Sequence, residues 1–120
     1  MVIVFTGFAH SVLTPASPMP LTSPTFELNS NTTRQLYARS AALVLSGTYY
    51  VTQVQVVVYN DAGSPQTAAV TVQIYDWSGN PLSGGLTSVA VPRRDTATAT
   101  VNLPTSVPYS SVGRVVVNVA

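Results

Sequence analysis

The chain has 120 residues, of which 46% are hydrophobic and only 8% are charged, and its formal net charge is +1. This length corresponds to one domain with a modest core, and the near-neutral charge provides no basic footprint for nucleic acid. The absence of cysteine excludes disulfides and thiolate metal ligands, and a single histidine cannot form a two-histidine metal site. We therefore expect no enzyme activity, no cofactor, no bound metal and no nucleic-acid partner.

An apolar run opens the chain at residues 2–9. A secretory signal starts with a positively charged region, whereas Met1 is followed directly by Val2. The run is also far shorter than the roughly 20 residues of a membrane-spanning helix. We expect neither a signal nor a membrane span here. As a strand, residues 2–5 would be apolar on both faces, and such a strand requires burial on both sides.

A proline-rich stretch follows at residues 10–25, with four prolines separated mainly by serine and threonine. This composition favours an extended backbone, which at about 3.1 Å per residue spans roughly 50 Å over 16 residues. A 120-residue domain has a radius of gyration of about 14 Å, so this segment could reach a neighbouring copy. We therefore divide the chain into an arm, residues 1–25, and a sandwich domain, residues 26–120.

Residues 26–46 are ambiguous between helix and strand. Leu36 and Leu43 lie seven residues apart, as on one helix face, whereas alternation at Leu36, Ala38, Ala42 and Val44 fits a strand. The alternation favours a strand.

From Tyr49 onward, apolar and polar residues alternate with a period of two, and clusters of turn residues separate the runs. Such strands, apolar on one face only, indicate an antiparallel, all-β sandwich or barrel. The predicted strands cover residues 51–60, 67–76, 96–103 and 115–119, with a short strand at 89–91 that Pro92 ends. The predicted inward residues are Val54, Val56, Val58, Val70, Val72, Ile74, Ala97, Ala99, Val101, Leu103, Val115, Val117 and Val119.

Two of these segments resemble parts of secreted immunoglobulin-like domains. Residues 54–63, V-Q-V-V-V-Y-N-D-A-G, resemble their strand-then-turn, and residues 70–80, V-T-V-Q-I-Y-D-W-S-G-N, resemble a hairpin of the same domains. With the closing strand at 113–117, the pattern over residues 50–120 resembles prokaryotic cell-adhesion domains and the sandwich heads of archaeal pilins and archaellins. The resemblance implies an immunoglobulin-like or jelly-roll-like β-sandwich, to which residues 1–25 add the extended N-terminal arm. It also implies an extracellular filament subunit, although the long apolar N-terminal helix of type IV pilins is missing. It carries over no functional residues.

The ionisable residues offer few candidate catalytic sites. The acids Glu27, Asp61, Asp76 and Asp95 lie near predicted turns, at spacings that fit neither a calcium loop nor a glycosidase pair. We interpret them as turn residues, and His10 as a loop or interface residue rather than part of a hydrolase site.

Other side chains suggest binding. Tyr59, Tyr75 and Trp77 could form a platform that stacks on sugars, which makes surface glycans a candidate partner, although a structural role for them is the simpler interpretation. The pair Arg93–Arg94 next to Asp95 is interpreted as ordinary surface. Asn31 begins the N-x-T sequon Asn31-Thr32-Thr33 and is a glycosylation candidate if the chain is exported.

The N-terminal segment carries the main functional hypothesis. We predict that it adds a strand to the sheet of an adjacent copy, which would make the protein a self-assembling subunit of an extracellular filament. The alternatives are an ordinary first strand of its own sandwich, a virion coat protein, and a glycan-binding adhesion module. The predicted location is accordingly the cell surface or a virion. The predicted interface residues are Val2, Ile3, Val4, Phe5 and Phe8.

Overall fold

The computed structural model describes residues 2–6, 23–47 and 49–120. These residues form eight strands in two four-stranded sheets, so the predicted all-β sandwich is confirmed. The strands are β1 (Val2–Thr6), β2 (Thr25–Asn29), β3 (Leu36–Ser46), β4 (Tyr50–Asn60), β5 (Gln66–Tyr75), β6 (Pro81–Val91), β7 (Asp95–Pro108) and β8 (Arg114–Val119), with 3-10 turns at Thr32–Arg34 and Tyr109–Ser111.

One sheet has the order β1-β3-β4-β7 and is antiparallel throughout, whereas the other has the order β2-β8-β5-β6. In the second sheet β2 pairs with β8 in parallel, with Thr25 opposite Arg114. The expectation of a purely antiparallel sandwich is therefore wrong for this one pair. A parallel pair requires a long connection between its strands. Here the connection consists of strands β3 to β7, which lie between β2 and β8 in the chain.

The core lies between the two sheets and is built mainly of valine. Inward and outward residues alternate as predicted along β4, β5, β7 and β8, because successive side chains of a strand point to opposite faces. Ala97 and Leu103, nearer the ends of the β7 run, are half-buried and pack on the core. The largest fully buried side chains include Phe26, Leu36, Leu43, Val51, Val54, Val56, Val58, Val70, Val72, Ile74, Val91 and Val101.

The ambiguous segment 26–46 contains two strands separated by a 3-10 turn. Asn31 caps this turn by accepting a hydrogen bond from the backbone of Arg34. The strand prediction is confirmed, but the inward face changes within β3, because its pairing with β4 shifts by one residue between Ala38 and Ser40. Such a bulge moves the following side chains to the other face. Ala41, Leu43 and Leu45 consequently belong to the core between the sheets. Ala42 and Val44 lie opposite the outward residues Gln55 and Gln53 of β4, although Ala42 is buried as well.

Two strands are longer than the sequence predicts. β6 covers 11 residues rather than Val89–Val91 alone, because Gly84 and Gly85 look like a break but lie within the strand. A Cβ added to Gly85 would lie 2.8 Å from the carbonyl oxygen of Asn102 in β7, so this glycine lets the edges of the two sheets approach each other. β7 continues through Pro104 to Pro108, which is allowed because it is an edge strand.

β1 forms an edge of the first sheet and pairs with β3 of its own chain, from Val2 opposite Val44 to Thr6 opposite Ser40. The structure thus contains the intrachain pairing that the sequence analysis treated as the alternative to strand addition between copies. Phe8, His10 and most of the proline-rich stretch lie outside the described residues.

Candidate subunit interface

The edge of the first sheet is one candidate interface. β1 has five residues, none of them charged, and among the strands that the structure describes it hydrogen-bonds to β3 only. Its partners on β3 include Ala41, Ala42 and Leu43, three consecutive buried residues. Edge strands of monomers usually carry lysine or other charges that prevent further pairing. The predicted interface residues Val2, Ile3, Val4 and Phe5 are therefore all placed on an edge without charge.

A second candidate is the end of the sandwich at which β4 begins, here called the aromatic end and defined by Tyr49, Tyr50 and Trp77. Their exposed fractions are 61%, 50% and 52%. Tyr49 and Tyr50 meet edge to face, with ring centroids 6.4 Å apart. Large aromatic side chains left half-exposed are typical of binding surfaces.

Hydrogen bonds hold the aromatic end in place. The backbone N–H of Tyr109 donates to the carbonyl of Tyr49 at 2.7 Å, and the indole N–H of Trp77 donates to the carbonyl of Ser110 at 3.0 Å. The β3–β4 turn, the β5–β6 turn and the segment before β8 are thereby joined. The indole N–H of Trp77 is already satisfied, so the ring can be buried by a partner without leaving an unpaired donor.

A shallow cleft of about 290 Å³ lies beside Trp77, and Thr25, Asp76, Gly79, Gly113 and Arg114 complete its lining. Oδ1 of Asp76 accepts backbone hydrogen bonds from Ser78 at 2.8 Å and Asn80 at 2.9 Å. The bond from Asn80 is the main cause that lowers the pKa of Asp76, with further help from Ser78. Asp76 is therefore a turn-forming carboxylate, as predicted, and its low pKa does not suit a general acid at neutral pH.

The opposite end of the sandwich, here called the arginine end, is defined by Arg34, Arg39, Arg93 and Arg94. Arg39 stacks on Tyr59, with its guanidinium carbon 4.6 Å from the ring centroid. The Tyr59 hydroxyl donates to Asp61 at 3.1 Å, and this hydrogen bond is the main cause that raises the pKa of Tyr59.

Two further contacts hold the arginines in place. Arg94 lies 3.5 Å from Asp61, and Arg34 donates to the carbonyl of Thr67 at 3.1 Å. Arg93 and Arg94 lie on the surface, as the sequence predicts, and nothing local in the sequence links that pair to the other arginines.

The predicted three-ring sugar platform is not formed. Tyr59 lies on β4 of the first sheet and Tyr75 on β5 of the second, and both point outward, so the rings are on opposite faces of the molecule. Each ring is also covered by an arginine: Arg39 on Tyr59, and Arg114 on Tyr75 with its guanidinium carbon 4.4 Å from the centroid. Only Trp77 of the three leaves a large part of its ring exposed.

The two remaining acidic residues, Glu27 and Asp95, each contact a neighbouring group of the same chain. Glu27 lies 3.7 Å from Arg114, and Asp95 accepts the backbone N–H of Thr96 at 2.7 Å. Within residues 2–6, 23–47 and 49–120, no three histidine, cysteine, aspartate or glutamate side chains are grouped to hold a metal ion. Asn31 remains a glycosylation candidate, with its side-chain oxygen used in the turn.

No helix in the described part of the chain is long and apolar enough to cross a membrane. Comparison with protein families, curated proteins and solved structures finds no match to this chain. The uncharged edge strand and the two ends of the sandwich are the surfaces of the described residues at which copies could meet.

Proposed function

We propose that this protein is a structural subunit that assembles into an extracellular filament by strand exchange, β1 of each copy occupying the β3 edge of the next. The observation that carries the proposal is the uncharged edge strand β1, which bonds to no described strand other than β3 and is separated from β2 in the sequence by a long proline-rich connection. The sandwich itself is proposed to be of immunoglobulin-like type, as the sequence resemblance implies.

Exchange preserves the contacts that β1 makes within its own chain. The same backbone hydrogen bonds form whether the strand comes from one copy or from its neighbour, so domain swapping has a low energetic cost. Because the strand of one copy binds a different surface of the next, the contact is head-to-tail, and such contacts propagate into a filament unless they close into a ring.

The connection is long enough for exchange. The 16 residues at positions 7–22 would reach roughly 50 Å if fully extended at about 3.1 Å per residue. The longest dimension of the molecule is 49 Å. A strand on such a tether can reach the sheet of an adjacent copy.

The outward faces of both sheets are suited to packing against copies. They carry mostly uncharged polar side chains, so approaching copies repel each other little. On the first sheet these include Gln53, Gln55, Thr96, Thr98, Thr100 and Asn102, and on the second Thr67, Thr71, Gln73 and Asn118.

Cysteine cross-linking tests the exchange directly, since the chain contains no cysteine of its own. Val4 on β1 lies opposite Ala42 on β3, and facing Cα atoms of an antiparallel pair are about 4.5–5.5 Å apart, within reach of a disulfide. Purified Val4→Cys and Ala42→Cys proteins are mixed under assembly conditions and oxidised. We expect a covalent heterodimer; its absence in a sample that contains filaments would refute strand exchange.

A matched control uses the same row of the sheet. Gln55 on β4 lies opposite Thr100 on β7, a pair inside the sheet that no tether allows to exchange. A mixture of Gln55→Cys and Thr100→Cys proteins is expected to give no heterodimer beyond random collision. Equal yields from the two mixtures would mean that the Val4–Ala42 product is not specific.

Negative-stain electron microscopy distinguishes the assembly forms. We expect fibres from the full chain and none after deletion of residues 1–8, with the β-sheet circular dichroism of the deleted protein measured to confirm that it is folded. Closed shells would favour a virion coat protein instead of a cellular filament. Unchanged assembly of a folded deletion variant would contradict the proposal.

A further inference from the structure

We propose that the aromatic end of one copy docks onto the arginine end of the next, so that exchanged strands and stacked ends act together in one polar filament. This inference rests on the proposed function, and it adds a second contact surface to it, with another copy of this chain as the partner.

The two surfaces lie at opposite ends of the same strands. β4 begins at Tyr50 and ends at Asn60, next to Asp61 and its partner Arg94. β5 runs in the other direction, from Gln66 beside Arg34 to Tyr75, two residues before Trp77. Every copy therefore presents aromatic rings at one end and guanidinium groups at the other.

The charges of the two ends are complementary. All nine charged residues of the chain lie in its described part. The arginine end holds four arginines with Asp61 and Asp95, a formal charge of +2. The aromatic half holds Arg114 with Glu27 and Asp76, a formal charge of −1. Head-to-tail stacking brings opposite charges together, whereas like ends repel each other.

The chemistry of the two ends is complementary as well. Tryptophan, tyrosine and arginine are the residue types that dominate binding energy in protein interfaces. A guanidinium group over an aromatic ring is favourable, most strongly when both are removed from water. The molecule already contains two such stacks, Arg39 on Tyr59 and Arg114 on Tyr75. Arg93 and Arg94 are exposed, and half of the Trp77 side chain is exposed as well. A third stack of a guanidinium group on an aromatic ring can therefore form between copies.

The ends of the connection favour the same arrangement. β1 runs towards the arginine end, where Thr6 pairs with Ser40, while Thr25 of β2 pairs with Arg114 beside the Trp77 cleft at the aromatic end. Within one copy, Thr6 and Thr25 therefore lie towards opposite ends of the sandwich. When β1 instead occupies a neighbour whose arginine end meets the aromatic end of its own copy, Thr6 and Thr25 of that chain come close together. End docking and strand exchange thus require the same relative orientation of two copies.

Trp77 is the only tryptophan of the chain, so its fluorescence reports on the aromatic end alone. Acrylamide quenching is measured for dilute and assembled protein. We expect quenching to fall severalfold on assembly, as the half-exposed ring becomes covered. The double variant Arg93→Glu, Arg94→Glu is expected to raise the critical concentration about tenfold or more, a loss typical of hot-spot side chains. The variant Arg93→Lys, Arg94→Lys keeps the charge but not the planar stacking group. Its critical concentration is expected to lie between those of the unsubstituted chain and of the glutamate variant.

Leu86 provides the matched control, because its side chain is 67% exposed but lies on the flank of β6 rather than at an end. We expect Leu86→Ala to assemble like the natural chain and Trp77→Ala to assemble poorly. Equal loss in both variants would contradict end docking.

The cross-linking experiment on Val4 and Ala42 separates this inference from the proposed function. A heterodimer together with undiminished quenching of Trp77 would overturn end docking and leave strand exchange standing. Protection of Trp77 without a heterodimer would support end docking and overturn strand exchange. If neither the heterodimer nor the protection of Trp77 is observed at protein concentrations well above those used for microscopy, strand exchange and end docking are both wrong.

Discussion

The indole nitrogen of Trp77 lies 3.0 Å from the carbonyl oxygen of Ser110 and donates a hydrogen bond to it. This contact joins the turn between β5 and β6 to the segment that leads into β8, although the two residues are 33 positions apart in the chain. It orients the exposed ring at the aromatic end and removes its only polar group from the surface available to a partner.

Trp77→Phe keeps an aromatic ring at this position but removes the donor. We expect a decrease of about 1 kcal/mol in the free energy of unfolding, the usual net contribution of one hydrogen bond. Urea denaturation followed by circular dichroism measures it, because the variant lacks the tryptophan signal. A free energy equal to that of the natural chain would show that the bond contributes nothing to stability.

Gly113→Ala tests the close packing next to Trp77. An added Cβ would lie 2.7 Å from the carbonyl carbon and oxygen of Asp76 and 2.8 Å from Cα of Trp77, all of them backbone atoms. We expect a loss of about 1–3 kcal/mol in unfolding free energy, as for other overpacked sites. Gly63→Ala is the control, since nothing lies within 4 Å of its added Cβ, and it should stay within about 0.5 kcal/mol.

Asn60→Ala removes a buried amide group from the arginine end. The amide nitrogen donates to the carbonyls of Ser64 and Val91 at 2.9 and 3.2 Å, and the oxygen accepts the backbone N–H of Ala62 at 2.9 Å. The substitution leaves these backbone groups without their partner, so we expect a loss of about 2–4 kcal/mol in denaturant unfolding. Asn102→Ala, an exposed site, should change stability by less than about 1 kcal/mol; a similar loss in both would contradict this account.

Ser83→Ala is expected to stabilise the protein or leave it unchanged. The Ser83 hydroxyl is buried and has no hydrogen-bond partner within the described residues. Burial of an unpaired hydroxyl is unfavourable, so its removal should raise the free energy of unfolding by up to about 1 kcal/mol. Ser88→Ala on the exposed side of the same strand serves as the control. A clear loss of stability in Ser83→Ala would mean that the hydroxyl has a favourable contact.

Stability at low pH should depend on Asp76. The backbone N–H of Asn80 holds the pKa of this carboxyl in the folded chain below its ordinary value of about 3.8. Its contribution to stability is therefore complete above that value and is lost as the pH falls through the lower, folded-state pKa. The melting temperature is measured between pH 2 and 6 for the natural chain and for Asp76→Asn. We expect a weaker decline in the variant below pH 4; identical profiles would contradict this assignment.

The aromatic end shows why sequence patterns were insufficient for the candidate interface. Tyr49, Tyr50 and Trp77 belong to two different turns, and Arg39 and Arg94 are 55 positions apart. Their grouping depends on which strands neighbour each other and in which direction they run. An adjacent tyrosine pair in a turn was the one local signal, because turns usually consist of small polar residues. The sugar platform was wrong for the same reason, since Tyr59 and Tyr75 each take an outward position near the end of an alternating strand but belong to different sheets.

By itself, the sequence determined the all-β class and the faces of the regular strands. A period of two assigns Val54, Val70 and Val117 to the core wherever a strand is unbroken, because alternation is a local property of the extended backbone. The apolar character of residues 2–5 likewise indicated a strand.

Only the tertiary structure decided the position of the bulge in β3, the full length of β6 through its glycines, the parallel pairing of β2 with β8 and the placement of β1 on β3. Each of these depends on contacts between residues far apart in the chain. The bulge in β3 depends on its pairing with β4. The continuation of β6 through Gly84 and Gly85 goes together with the close approach of β7 to Gly85. Local propensity contains no information about such neighbours, so these features, including the two complementary ends, follow from the packing of the sheets.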